Sequence, residues 1–247
     1  MSETGGRMAV DINCDIGEGF GIYRCGDDAG IMPLITVANV ACGFHASDPT
    51  VMRKTVRLAR DHGVKIGAHP SYPDRQGFGR RYMRMEREEL VAALIYQVGA
   101  LKGFLDAEGL PLHHVKPHGA LYGAACREPE VAHAIAEAAK AFGAPVVGLS
   151  GTLQERAYRE SGVEMIREVY VDLEYSDDGQ LIITREHEAV APDLAVERAL
   201  RALQDGRVRA QSGREFEVGV DSICVHSDTP NAVAIATAVR AAAMPWM

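Results

Sequence analysis

Polar residues spaced two apart mark the first place where this chain could do chemistry. Asp11, Asn13 and Asp15 lie at positions i, i+2 and i+4 of residues 8–21, MAVDINCDIGEGFG. In a β-strand this spacing puts all three side chains on one face. Glu18 follows between glycines, which let the backbone turn tightly or approach a ligand closely. The stretch predicts a first strand that delivers carboxylates into an active site.

Histidines follow several of the other predicted strands. Four of the nine do so, and a cluster is a stronger signal than one histidine at a strand end: His45, His69, His118 and His226. A carboxylate beside an imidazole can activate water or relay a proton. The other five are predicted to be structural or surface residues: His62, His113, His114, His133 and His187.

Basic residues near these positions predict anion binding. Lys116 lies at the end of a predicted strand, in LHHVKPHGALY, and a buried lysine needs either an acidic partner or a function. It is therefore either one half of an ion pair or a clamp for an anion. Arg75 and Arg80, in PDRQGFGRR, are candidates for bidentate binding of a carboxylate or phosphate; the alternative is a solvated loop.

The same acids and histidines allow a second interpretation, a divalent metal site with oxygen and nitrogen ligands drawn from Asp11, Asp15, Glu18, His45 and His69. No HExxH motif supports it. The sequence contains neither a GxSxG nucleophile elbow nor the GxxxxGK[ST] phosphate loop, so covalent catalysis and P-loop binding of ATP are not indicated.

Strands and helices are predicted to alternate about seven times, which is typical of a parallel sheet with helices outside. The predicted strands are 8–14, 36–42, 64–68, 112–116, 145–149, one within 163–172, and 222–225. Polar residues cluster where at least six of them end. A closed barrel brings all its strand ends to one mouth, whereas an open sheet spreads them along an edge. We therefore expect a single barrel domain over residues 1–247.

Composition excludes several classes of protein. The net charge is −8 with no basic stripe, which argues against nucleic acid as a partner. The chain has five cysteines without zinc-site or CxxC spacing, which predicts reduced thiols and a cytoplasmic location. The first residues are polar, and no apolar run is expected to approach the roughly 18 residues of a membrane span, so no membrane partner is expected.

Five motifs in order resemble the LamB/YcsF family, over about residues 8–240: DINCDIGEGFG, VANVACGFHASDP, GVKIGAHPSYPDRQGFGRR, HVKPHGALY and VHSD. The resemblance implies a distorted seven-stranded TIM-like barrel of the glycoside hydrolase/deacetylase type. It also implies an A subunit of 5-oxoprolinase, which opens the lactam 5-oxoproline to L-glutamate with ATP hydrolysis, together with partner subunits B and C. A homo-oligomer is compatible with this picture.

Under this resemblance the candidate residues take roles. We expect Asp15 or Glu18, with His45 and His69, to position or activate water. Lys116 and His118 would stabilise developing negative charge or phosphate. The remaining candidates, on the substrate side, are Asn13, Asn39, Arg75, Arg80, Asp172 and His226.

The chain departs from the family after the sixth predicted strand. Many members carry an arginine after the aspartate, whereas this chain has Leu173 and Glu174 after Asp172. If that arginine binds the substrate carboxylate, a different lactam is preferred here. The alternatives are therefore a hydrolase or binding subunit for another lactam, or a metal-dependent amide hydrolase or deacetylase.

Overall fold

The structure, a computed structural model, describes residues 9–247, so Met8 at the head of the first motif lies outside the described residues. The fold is α/β. Its strands are β1 (Asp11–Ile16), β2 (Val37–Ala41), β3 (Lys65–His69), β4 (Val146–Leu149), β5 (Met165–Tyr170), β6 (Arg207–Arg209), β7 (Glu215–Glu217) and β8 (Ser222–His226). Six of them form one parallel sheet in the order β3-β2-β1-β8-β5-β4, and β6 and β7 form a separate antiparallel pair.

The prediction of seven strands is wrong by one. The predicted strand 112–116 makes only isolated parallel bridges, from Val115 to Ala68 on β3 and to Val146 on β4. Pro117 follows at once, and proline has no N–H to extend a ladder. The segment nevertheless lies between the two edge strands: Val147 N donates to the carbonyl of Val115 at 2.9 Å. The sheet is thus curled, with its edges joined through residue 115, as in a TIM-like barrel.

Helices cover the outside of the curled sheet: α1 (Asp28–Ile31), α2 (Pro49–Asp61), α3 (Arg87–Ala107), α4 (Gly119–Ala125), α5 (Pro129–Lys140), α6 (Leu153–Glu160), α7 (Pro192–Asp205) and α8 (Ala232–Ala243). Two 3₁₀ turns lie at Met32–Leu34 and Met244–Trp246. The cap of α2 shows how the sequence starts a helix: Asp48 accepts hydrogen bonds from the backbone of Thr50 and Val51, and Pro49 occupies the first turn.

The expectation that no run approaches the length of a membrane span is wrong for α3, which is apolar enough, by length and composition, to cross a membrane. Its packing accounts for that composition, because Leu94, Val98 and Leu101 are buried in the core of the described chain. Core helices pass the same test of length and apolarity as membrane spans.

Side-chain alternation along the strands gives the barrel two different faces. Ile12, Cys14 and Ile16 of β1 are fully buried members of the apolar core. Asn13 and Asp15, between them, are also buried but join a polar network with the other strands. The barrel interior is therefore polar while its outer layer is apolar, and the site begins inside the barrel.

Candidate active site

A buried lysine forms the floor of the site. Lys116 Nζ lies 3.1 Å from Asp15 Oδ1 and 3.1 Å from Glu168 Oε2, and the three side chains are at most 5% exposed. It also donates to Asn13 Oδ1 at 3.1 Å and contacts Cys224 Sγ at 3.1 Å. Of the two alternatives left open for this lysine, the structure shows the ion pair, with two carboxylates around one ammonium.

Two asparagines and a histidine complete the floor. Asn39 Nδ2 donates to Asn13 Oδ1 and to Asp15 Oδ1, each at 2.8 Å, and His114 Nε2 donates to Asn39 Oδ1 at 2.7 Å. The register explains this closeness, because Asp15 pairs with Asn39 on the neighbouring strand. Gly67 makes room for His114: a Cβ there would lie 2.1 Å from its Cε1 atom.

Above the floor, histidines gather around two carboxylates at the mouth. His69 Nε2 lies 3.2 Å from Asp15 Oδ2 and 3.0 Å from His118 Nδ1. His45 Nε2 donates to Glu18 Oε1 at 3.0 Å, and its ring stacks on His118 with centroids 3.8 Å apart. The structure therefore brings the six candidate catalytic residues together: Asp15, Glu18, His45, His69, Lys116 and His118.

A second acid–histidine pair stands on the opposite wall. Asp172 Oδ1 accepts from His226 Nδ1 at 2.9 Å, and Asp172 Oδ2 accepts from the backbone N–H of His226 at 2.7 Å. The groups facing the His226 ring are Asp15 at 3.7 Å, the His187 ring at 4.8 Å, and the stacked Tyr170 ring at 5.5 Å. Asp228 also acts on it electrostatically.

Burial and charge separate the pKa values of the carboxyl groups. Burial alone would raise the pKa of Asp15, but His69 and Lys116 hold it well below its usual value. Burial raises the pKa of Glu18, and the nearby charges of Asp228 and Asp15 raise it further. Asp15 is thus the anion of the site, while Glu18 has the greater affinity for a proton.

The pKa values of the histidines diverge as well. Burial and the neighbouring His69 lower the pKa of His45, and burial with His45 lowers that of His118. Burial would also lower the pKa of His226, yet Asp172 raises it above the ordinary value. The site thus holds neutral imidazoles on one wall and a readily protonated imidazole on the other.

The mouth opens into a small pocket. Its lining includes Asp15, His69, Arg80, Lys116, Pro117, His118, Tyr122, Tyr170, Leu173, Leu181, Ile183, His187 and His226. Arg80 Nη2 pairs with Asp228 at 2.8 Å, and its Nη1 donates to the carbonyl of Arg185 at 2.9 Å. The pocket combines acids, imidazoles and one guanidinium with a partly apolar wall, which suits a small polar molecule.

Several predicted residues have other positions or surroundings. Asp11 lies at the opposite end of β1, where its carboxylate accepts from Lys65 Nζ at 2.9 Å, so it is separate from the histidines of the predicted metal set. Arg75 does not line the pocket; it donates to the carbonyl of Ser47 at 3.0 Å and stacks over Phe20. Asn13 and Asn39, both predicted on the substrate side, lie in the floor beneath the pocket.

Sequence reasoning missed several residues of the site. Glu168 and Tyr170 share a face with Asp172 by the same i, i+2, i+4 spacing that identified β1, and the Tyr170 hydroxyl donates to Glu168 Oε1 at 2.7 Å. His114, predicted to be structural, belongs to the floor. His187 pairs with Asp228 at 3.0 Å and lines the pocket, but it comes from an irregular segment without a sequence signal.

The sequence profile of the LamB/YcsF family matches residues 10–244. The chain belongs to the LamB/YcsF family. The resemblance drawn from the five motifs is thereby confirmed.

Several relatives of this LamB/YcsF chain align over nearly their whole length. A Thermus thermophilus protein, named as the A subunit of 5-oxoprolinase, is 48% identical over 239 residues, covering 95% of this chain and 96% of the relative. A protein of Emericella nidulans named lactam utilization protein lamB is 46% identical over 231 residues, covering 91% and 90%. The crystal structure of a lactam utilization protein from Thermus thermophilus superposes with a TM-score of 0.89 at 48% identity, covering 96% and 97%.

Proposed function

We propose that this chain is the A subunit of a 5-oxoprolinase, which acts with partner subunits to open 5-oxoproline to L-glutamate with hydrolysis of ATP. The observation that carries the proposal is the meeting of Asp15, His69, Lys116 and Arg80 around one small pocket. Relatives at 48% identity carry the corresponding name. Because the reaction needs ATP, the proposal includes a cytoplasmic location.

The reaction consumes ATP and two waters for each ring opened. The lactam oxygen attacks the γ-phosphorus, and ADP leaves. Water then adds to the ring carbon and gives up one proton, the carbon–nitrogen bond breaks, and the nitrogen takes a proton to become the amine. A second water hydrolyses the resulting acyl phosphate to glutamate and phosphate. Because the chain has no P-loop, the proposal treats ATP as a co-substrate of the assembled enzyme.

The residues of the site fit the proton transfers of this scheme. Glu18, whose raised pKa favours proton uptake, can accept the proton of the attacking water. Lys116 and His69 keep Asp15 ionised, and this anion can orient the water. Arg80, with a side chain only 5% exposed, is the cation placed to bind a carboxylate or phosphate.

A second candidate substrate, a lactam without a carboxylate, is favoured by Leu173. Leu173 lines the pocket at the position where many family members have arginine. The negative charge of Glu174 is paired with Arg198, which also donates to the carbonyl of Leu173 at 3.3 Å. The wall beside Asp172 is therefore apolar, and 2-pyrrolidinone would fit it without an unpaired charge.

The test combines the purified chain with its partner subunits, ATP, and either 5-oxoproline or 2-pyrrolidinone. We expect glutamate only when the partner subunits are present, and loss of activity in His69→Ala and Lys116→Ala. Leu173→Arg should shift the preference toward 5-oxoproline. Full activity of either alanine variant would remove that residue from the mechanism, and turnover of 2-pyrrolidinone alone would favour the second candidate.

A further inference from the structure

Two buried imidazoles at the mouth face each other, each through one ring nitrogen. His69 Nδ1 lies 2.8 Å from the carbonyl oxygen of Lys116, and His118 Nε2 lies 2.8 Å from that of Phe78. A carbonyl oxygen only accepts, so each ring has committed its N–H to the backbone. The remaining nitrogens, His69 Nε2 and His118 Nδ1, are 3.0 Å apart. Two rings without a hydrogen on these nitrogens would repel there, so the geometry calls for a cation, a proton or a metal ion, beside both nitrogens.

Glu18 brings a carboxyl oxygen to the same point. Its Oε1 atom lies 3.6 Å from His118 Nδ1, and ligand atoms of Glu18, His45, His69 and His118 all lie within 4.8 Å of one another. These four residues are at most 4% exposed. A buried set of one carboxylate and several imidazoles is the donor set of catalytic zinc and related sites.

His45 is a supporting residue in this set and not a ligand. Its ring is nearly parallel to that of His118, with an angle of 6° and centroids 3.8 Å apart. Lone pairs lie in the ring planes, so stacked rings direct them side by side and not toward one common point. The Nε2 atom of His45 donates to Glu18 Oε1 at 3.0 Å and so orients that carboxylate.

We propose that Glu18 Oε1, His69 Nε2 and His118 Nδ1 bind one divalent transition-metal ion of the zinc class. The backbone carbonyls on the far nitrogens fix both tautomers, as the outer shell of a metal site does. Asp15 Oδ2, 3.2 Å from His69 Nε2, is close enough to join the shell or to accept from a bound water. Three protein ligands leave positions open for water or a carbonyl oxygen.

This site differs from the metal set expected from sequence, since Asp11 is excluded, His118 enters and His45 is a supporting residue. It does not depend on the 5-oxoprolinase proposal, because metal binding is measured without any substrate; with a metal bound, Asp15 instead of Glu18 would accept from the water. A failure of one proposal is therefore distinguishable from a failure of the other.

The experiment uses the full chain, stripped with a chelator and dialysed, and titrates it with Co²⁺ and Zn²⁺. Ligand-field absorption of Co²⁺ and calorimetry report binding. We expect one equivalent per chain, and Zn²⁺ should displace Co²⁺. Glu18→Gln, His69→Gln and His118→Gln should each weaken binding more than about 100-fold, whereas His45→Gln, an outer-shell change, should weaken it by about 10–100-fold.

His133→Gln is the matched control, because His133 also lies near a glutamate, with 3.7 Å between its Nε2 and Glu160, but far from the mouth in the sequence and in the fold. It should bind metal as the unaltered chain does. Circular dichroism checks that each variant is folded. If the unaltered chain binds neither ion, the proposal is overturned and a shared proton occupies the place between the imidazoles. Equal affinity in the ligand variants and the control would overturn it as well.

Discussion

Removal of the lysine at the centre of the floor should destabilise the fold strongly. Lys116→Met keeps the apolar stem but leaves Asp15 and Glu168, each 3.1 Å from the missing ammonium, as two buried carboxylates without their cation. Breaking a buried ion pair by removing one partner costs about 3–5 kcal/mol. At roughly 2–4 °C per kcal/mol for a chain of this size, the melting temperature should fall by roughly 6–20 °C.

The barrel offers a matched control at its other end. Lys65 pairs with Asp11 at 2.9 Å, but the Lys65 side chain is 50% exposed. An exposed pair of this kind contributes about 0–1 kcal/mol, so Lys65→Met should have little effect. Urea denaturation and calorimetry give both free energies of unfolding.

A double variant identifies the source of the cost. If unpaired charge is the cause, Glu168→Gln added to Lys116→Met should restore part of the lost stability, because one buried carboxylate is then gone. A Lys116→Met variant that loses no more than Lys65→Met would refute the ion-pair account of the floor. So would a double variant that is less stable than the sum of its single changes.

Three further changes test other parts of the site. Gly67→Ala should lower the free energy of unfolding, measured by urea denaturation, by about 1–3 kcal/mol, because the new Cβ meets the His114 ring at 2.1 Å. Gly103→Ala, in open space on a helix, should be neutral or stabilising. The raised pKa of His226 should contribute stability that is fully present below about pH 6.5 and is lost as the pH rises through the pKa of the folded state. His226→Gln should abolish this dependence of the free energy of unfolding on pH, and an unchanged dependence would contradict the assignment. Arg80→Gln should raise KM for 5-oxoproline more than it lowers kcat, and the reverse split in steady-state kinetics would argue against a binding role.

The sequence alone determined which strand face is polar. The spacing of Asp11, Asn13 and Asp15 put them on one face of β1, and the strand-end positions of His45 and His69 predicted where the site would form. These predictions succeed because side-chain direction in a strand has a period of two, and because parallel strands present the same ends to one side.

The tertiary structure decided how far along the barrel each side chain lies and which side chains it contacts. Asp11 shares its face with Asp15 but lies further down the strand, with Lys65 at the other end of the barrel. The pairing of Lys116 with Glu168 joins residues far apart in the chain, which no local pattern encodes. Spacing fixes a face, whereas the register between strands fixes which side chains meet.

The first motif shows the division most clearly. Its sequence delivers Asp15 and Glu18 to the mouth. Only the fold places Asp15 beside Lys116 and His69, where it remains an anion. The fold also places Glu18 near His118, in a buried region where nearby negative charges raise its pKa. Two carboxyl groups from one short motif thus acquire opposite proton affinities, because their charged neighbours come from distant parts of the chain.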